Sequence, residues 1–135
     1  MFGWLRRLRP EPRLAGAPAV RRLKHYSAAS GFVYQYYYQG CRAAWRGLDK
    51  GAQYVFAVSA DGKTYFPVSV FVGRRALRDS EQRRRRTLSS TERYALAKMS
   101  LFQAFDARPS PGALREEVIV QPADVESILA RLGLD

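Results

Sequence analysis

The stretch "QYVFAVSADGKTYFPVSVFV", residues 53–72, limits what this chain can fold into more than any other. Two β-rich runs flank Asp61-Gly62, the dipeptide best suited to the positive φ angles of a two-residue hairpin turn. Such a turn pairs Ala60 with Lys63, Val58 with Tyr65, Phe56 with Pro67 and Tyr54 with Ser69. Because strand side chains alternate, one face becomes Val55, Ala57, Phe66, Val68, Val70 and Val72. The other becomes Tyr54, Phe56, Val58, Tyr65 and Phe71. Pro67 has no N–H to donate, so its strand is expected to be an edge there or to bulge.

A second aromatic run precedes the hairpin. "GFVYQYYYQG", residues 31–40, reads as a strand with Phe32, Tyr34, Tyr36 and Tyr38 on one side and Val33, Gln35, Tyr37 and Gln39 on the other. Residues 41–51, with Trp45, Gly47 and Gly51, read as a loop. After the hairpin, "GRRALRDSEQRRRRTL" holds too few apolar residues for a packed helix and is expected as a basic surface helix or loop.

The clearest helix opens at "LSSTERYALAKMSLFQAF", where Ser89 and Glu92 have capping-box spacing. Tyr94, Ala97, Leu101 and Phe105 recur at helical period, Leu96 and Phe102 widen the stripe, and Pro109 and Pro111 end it. "EEVIVQ" is a short strand. "PADVESILARLGLD" is a last helix: Pro122 sits in its first turn, Asp124 and Glu126 lie near its positive end, Val125, Ile128, Leu129 and Leu132 form its stripe, and Gly133 stops it. Strands followed by helices imply an α+β fold, an antiparallel sheet of three to four strands with two C-terminal helices packed on one face. The aliphatic hairpin face suits the covered side, and rings with hydroxyl tips suit the wetter one.

Residues 1–26 are set apart as a flexible basic arm, and residues 27–135 as one α+β domain. The arm is interrupted by Pro10, Pro12 and Pro18 and has no unbroken apolar run of the secretory kind. Its arginine-rich, acid-poor start would suit a mitochondrial transit segment in a eukaryote. Elsewhere no apolar run approaches the roughly 18–20 residues that span a bilayer, and with one cysteine a reducing, cytoplasmic setting is the default expectation.

Charge points to a partner. The formal net charge is +11, and it is unevenly spread. Residues 1–30 contribute +6 and residues 73–93 contribute +5, whereas residues 94–135 contribute −2. A polyanion is the expected partner, nucleic acid first, with an anionic membrane surface or an acidic protein as alternatives. The candidate nucleic-acid contacts are Arg74, Arg75, Arg78, Arg83, Arg84, Arg85 and Arg86 for phosphate. Tyr34, Tyr36, Tyr38, Tyr54 and Tyr65 are the candidate stacking rings. The competing reading makes the tyrosine row core or a homodimer interface; a ring face wholly covered by helices would decide for core. In the membrane alternative, Phe2, Trp4 and Leu5 insert while Arg6, Arg7 and Arg9 meet lipid headgroups.

Catalysis is not expected. The chain has neither a G-x-x-x-x-G-K-[ST] phosphate loop nor a G-x-S-x-G elbow. His25 lies beside the arm, Glu116 and Glu117 point to opposite faces of a strand, and Cys41 reads as an incidental thiol. No cofactor or metal set is apparent, with one histidine and one cysteine in the chain.

Overall fold

The computed structural model describes residues 12–133. Five strands, β1 (Lys24–Ser27), β2 (Val33–Arg46), β3 (Asp49–Ser59), β4 (Phe66–Gly73) and β5 (Val118–Ile119), form one sheet in sequence order. All neighbours are antiparallel except β4 and β5. Three helices, α1 (Arg74–Arg84), α2 (Ser90–Ala107) and α3 (Pro122–Arg131), complete an α+β fold, with a short 3-10 turn at Pro111–Arg115. The α+β class is as expected, but among the described residues the sheet has five strands and there are three helices.

The added strand begins at Lys24, inside the stretch set apart as an arm. Its backbone pairs with β2 from Lys24↔Tyr36 to Ser27↔Val33. Further upstream, Ala15 exchanges two backbone hydrogen bonds with Cys41, at 2.8 and 2.9 Å. Gly40 makes that approach possible: a Cβ there would lie 2.8 Å from the Ala15 carbonyl oxygen, and its φ is +124°. The register shifts between Tyr38 and Gly40, leaving Gln39 as the extra residue of a bulge.

The central hairpin departs from expectation by one residue. Val58 faces Phe66, Phe56 faces Val68 and Tyr54 faces Val70. Residues 60–65 form a longer loop in place of the two-residue turn. Ser59 Oγ accepts from the Gly62 N–H at 2.9 Å, and Asp61 Oδ1 accepts from the N–H groups of Lys63 and Thr64, each at 2.8 Å. These local bonds outcompete the tight turn. A one-residue slip turns every side chain of a strand over relative to its neighbour. The rings of β3 and the valines of β4 therefore share one face, and the helices cover it.

That face is the core. Tyr34, Tyr36, Tyr54, Phe56, Val58, Val68, Val70 and Val72 pack with Leu96, Leu101 and Phe105 of α2 and with Val125, Ile128 and Leu129 of α3. Tyr34 stacks on Phe105 with centroids 4.4 Å apart. Fully burying one such side chain is worth about 1.5–3 kcal/mol, so rings make a more effective inner wall here than a wet surface. α1 also reaches the core, through Ala76 and Leu77. Its apolar strip is narrow, and Ser80 Oγ and Arg84 fix its inner side by bonding Glu126 of α3. An apolar-stripe criterion cannot see a helix held partly by such polar ties.

The opposite face also buries Val55, Ala57 and Phe71. A polar chain runs across this face. Arg42 Nε donates to Gln53 Oε1 at 2.8 Å, and Gln53 Nε2 donates to Ser69 Oγ at 3.0 Å and to Glu117 Oε2 at 3.2 Å. Arg46 donates to both oxygens of Glu117 and lies 5.1 Å from the Phe71 ring. Among the described residues β4 has no second neighbour at Pro67, because β5 pairs with Val70 and Phe71. The edge expected at that proline is present.

Candidate polyanion interface

The tyrosines named for stacking are dispersed. Tyr34, Tyr36 and Tyr54 are 0%, 4% and 4% exposed beneath the helices, so none presents an open ring face. Tyr38 is half-buried between Phe56 and Tyr94, at 5.3 and 4.8 Å between centroids. Tyr65 lies near Tyr37 and donates its hydroxyl to Gln35 Oε1 at 2.8 Å. The ring row of β2 and β3 is core.

The arginines divide in two. Arg84 donates to Glu126 at 3.1 Å, and Arg83 lies 3.4 Å from the same carboxylate. Arg86 grips Glu92 at the start of α2 with two bonds of 2.6 and 2.8 Å. These three tie α1 and the turn after it to α2 and α3. Arg85, exposed, closes α1 in the left-handed conformation with φ 52°. Arg74, Arg75 and Arg78 are exposed, and among the described residues none of their side chains has an acidic partner. At 3.6 residues per turn the three occupy an arc of about 100° that excludes the buried Ala76 and Leu77.

How α1 begins decides what this end of the molecule offers. Gly73 is its N-cap and has no side chain to cap with. Asp49, from the neighbouring strand, supplies the missing acceptor by taking the Arg75 N–H at 3.2 Å. A Cβ on Gly73 would fall 2.1 Å from that carboxylate, so glycine admits the cap. The helix terminus is thus already served by an anion, and contact with a further anion falls to the arginine side chains.

Residues 41–51, expected as a loop, are the tip of a long hairpin. β2 and β3 pair down to Arg46↔Asp49 and turn through Gly47-Leu48. Trp45 opposes Lys50 there and is 59% exposed, while Leu48 at the turn is 85% exposed. The Lys50 ammonium sits 5.9 Å from the Trp45 ring centroid. Alternation from Ala52, which faces the covered side with Val72, places Trp45 and Lys50 on the side carrying α1. Gly51 pairs with Gly73, so Lys50 and Arg74 follow from directly opposed residues. Exposed indole, lysine and the first turns of α1 therefore share one end and one side of the sheet. Sequence reading missed Trp45; the alternation through "CRAAWRGLDKGAQ" around Gly47 was the available signal.

Phe2, Trp4, Leu5, Arg6, Arg7 and Arg9 lie outside the described residues. His25 is exposed on β1, and Cys41 is a half-buried thiol opposite Tyr54. Among the described residues no group of acids, histidines and cysteine could hold a metal, and no helix is long and apolar enough to cross a membrane. The chain matches no family model, no curated protein and no solved structure.

Proposed function

We propose that this chain is a non-enzymatic binding module for single-stranded nucleic acid, with Arg74, Arg75 and Arg78 on phosphates and Trp45 as a stacking ring. One arrangement supports the reading: an exposed indole and exposed guanidiniums without acidic partners among the described residues lie at the same end of the fold. Guanidinium suits bidentate contact with phosphate oxygens, and every base has a flat face for an indole to meet. Lys50 adds charge at the ring, while Asp79 is an exposed acid on the same helix. The affinity is therefore expected to be modest and strongly dependent on salt.

The test is a salt-titrated binding series with oligo-dT, oligo-rU, a duplex of equal length and vesicles containing phosphatidylserine. Single strands should bind best, and each arginine changed to Gln among Arg74, Arg75 and Arg78 should lower the salt slope by roughly 0.7. An unchanged slope in the triple variant overturns the reading. Vesicle binding that needs Trp45 and Leu48, without oligonucleotide binding, would move the chain to the class of interfacial membrane proteins.

A further inference from the structure

Between the N-terminal segment, the sheet and α2 lies a cavity of about 380 Å³. Tyr36, Tyr38 and Tyr94 line it, together with Gly16, Arg22 and Lys24. Lys24 stands opposite Tyr36 in the β1–β2 register and shares its side of the sheet. Lys98 lies one turn beyond Tyr94 on α2, comes up against Lys24, and holds its ammonium 5.8 Å from the Phe102 ring.

Folding alone gives no reason for this arrangement. Two ammonium groups of the same sign adjoin, and neither they nor Arg22 has an acidic partner among the described residues. Burial, and then Lys24, pull Lys98 down to about 8, a cost that a bound anion would relieve. The phenols complement those cations. Burial pushes Tyr36 up to about 12 and raises Tyr38 and Tyr94 as well, so all three stay neutral near pH 7 and keep a proton to donate. The hydroxyls of Tyr36 and Tyr94 donate to no protein acceptor among the described residues. Among the described residues no carboxylate lines the cavity, whereas Tyr36, Tyr37, Tyr38 and Tyr94 all do. The volume is at the lower end of the roughly 300–1,000 Å³ typical of small-molecule sites. A bare inorganic anion would leave the rings uncovered, and a neutral ring would leave the cations unmatched.

We infer that this cavity binds a small planar anion, a ring carrying one carboxylate or phosphate group. The ring packs against Tyr36, Tyr38 and Tyr94, and the anionic oxygens meet Lys24 and Arg22, with Lys98 adding positive charge from beside Lys24. The site is separate from the Trp45 and Arg74 end and rests on different residues.

The test titrates the full chain with salicylate and with phenyl phosphate, and in parallel with their uncharged counterparts, salicyl alcohol and phenol. NMR signals of the tyrosine rings and lysine ε-methylenes report the site. At least one ring anion should saturate and move Tyr36, Tyr94 and Lys98 together, with its neutral counterpart weaker by about tenfold or more. Lys98→Gln should weaken that binding by a similar factor without lowering Tm, since it removes a cation that the fold leaves unmatched, and Tyr94→Phe should weaken it severalfold. Neither change should alter oligonucleotide binding at Arg74, Arg75 and Arg78, so the two readings fail separately. The inference is overturned if neither anion moves those signals below about 10 mM, if neutral and charged rings bind alike, or if Lys98→Gln retains full affinity.

Discussion

Arg86 donates two hydrogen bonds to Glu92, and that same carboxylate accepts the Ser89 N–H at 2.8 Å while Ser89 Oγ accepts the Glu92 N–H at 3.1 Å. One acid thus closes the capping box of α2 and anchors the end of the arginine run. The Arg86 bonds, then the Ser89 N–H, hold the Glu92 carboxyl down to about 2 against an ordinary 4.5.

A folded-state value below the unfolded one stabilises the fold above about pH 4.5, and that contribution is lost as pH falls through about 2. Acid titration of Tm should show this loss in the parent chain, and Glu92→Gln should flatten it between those values. An equally steep acid limb in the variant would mean that the pair contributes nothing. Ser89→Ala should cost about 1 kcal/mol through the lost cap.

Gly51 and Gly73 meet across β3 and β4 with no room for a side chain. A Cβ on Gly51 would lie 2.3 Å from the Val72 carbonyl oxygen and 2.6 Å from the Gly73 Cα. These are backbone atoms and cannot swing aside. Gly51→Ala should therefore destabilise by about 3 kcal/mol, the upper end for overpacking, measured by denaturant unfolding. Gly112→Ala is the control, since its Cβ would meet nothing closer than Ser110 Oγ at 4.0 Å. It should stay within roughly 0.5 kcal/mol of the parent.

Tyr34 and Tyr37 come from one tyrosine-rich run and should behave oppositely. Tyr34 is fully buried on Phe105, whereas Tyr37 sits on the other face, half-exposed under the Arg21 guanidinium at 4.3 Å. Tyr34→Ala should cost about 3–5 kcal/mol, as aromatic truncations in cores do. Tyr37→Ala should cost far less. Similar losses from both would contradict the division of faces.

Why that division was only half legible follows from these residues. Alternation in β2 correctly put Tyr34, Tyr36 and Tyr38 together, because period two survives in any register. Which side the helices would cover depended on the β3–β4 register, and that turned on Ser59 and Asp61 bonding the loop backbone. Asp61-Gly62 fits a tight turn and this loop equally well. The α2 capping box and stripe were readable since their signals are local. α1 was legible only as a basic surface helix or a loop, since it is secured partly by Glu126, and β1 was not legible, being four residues paired with distant backbone. The Trp45 hairpin tip hid behind its glycines, which look like a loop until both strands are seen to pass through them.

Trp45→Ala gives the sharpest separation between stability and binding. The ring is exposed, and its partner in the structure is the Lys50 ammonium at 5.9 Å, so its removal should leave unfolding nearly unchanged. If bases stack there, oligo-dT affinity should fall by roughly 1–3 kcal/mol. A variant with parental affinity removes Trp45 from the interface.

Lys98 sets the behaviour of the fold in alkali. Its folded value of about 8 lies below the ordinary 10.5, through burial and then the neighbouring Lys24. Between those values the unfolded chain holds a proton that the folded chain has released, so stability from this group rises with pH from about 8 towards 10.5. The tyrosines act in the other sense. Tyr36 is held up to about 12, and Tyr26, Tyr38 and Tyr94 are also raised above 10.0. Above about pH 10 the unfolded chain loses phenol protons that the fold retains, and stability declines. Tm should therefore climb by a few degrees from pH 7.5 to a maximum near 10 and fall beyond it. In Lys98→Met the climb should vanish, Tm at pH 7 should exceed that of the parent, and the decline above pH 10 should persist. A variant that still climbs would show that the neutralised cation is elsewhere.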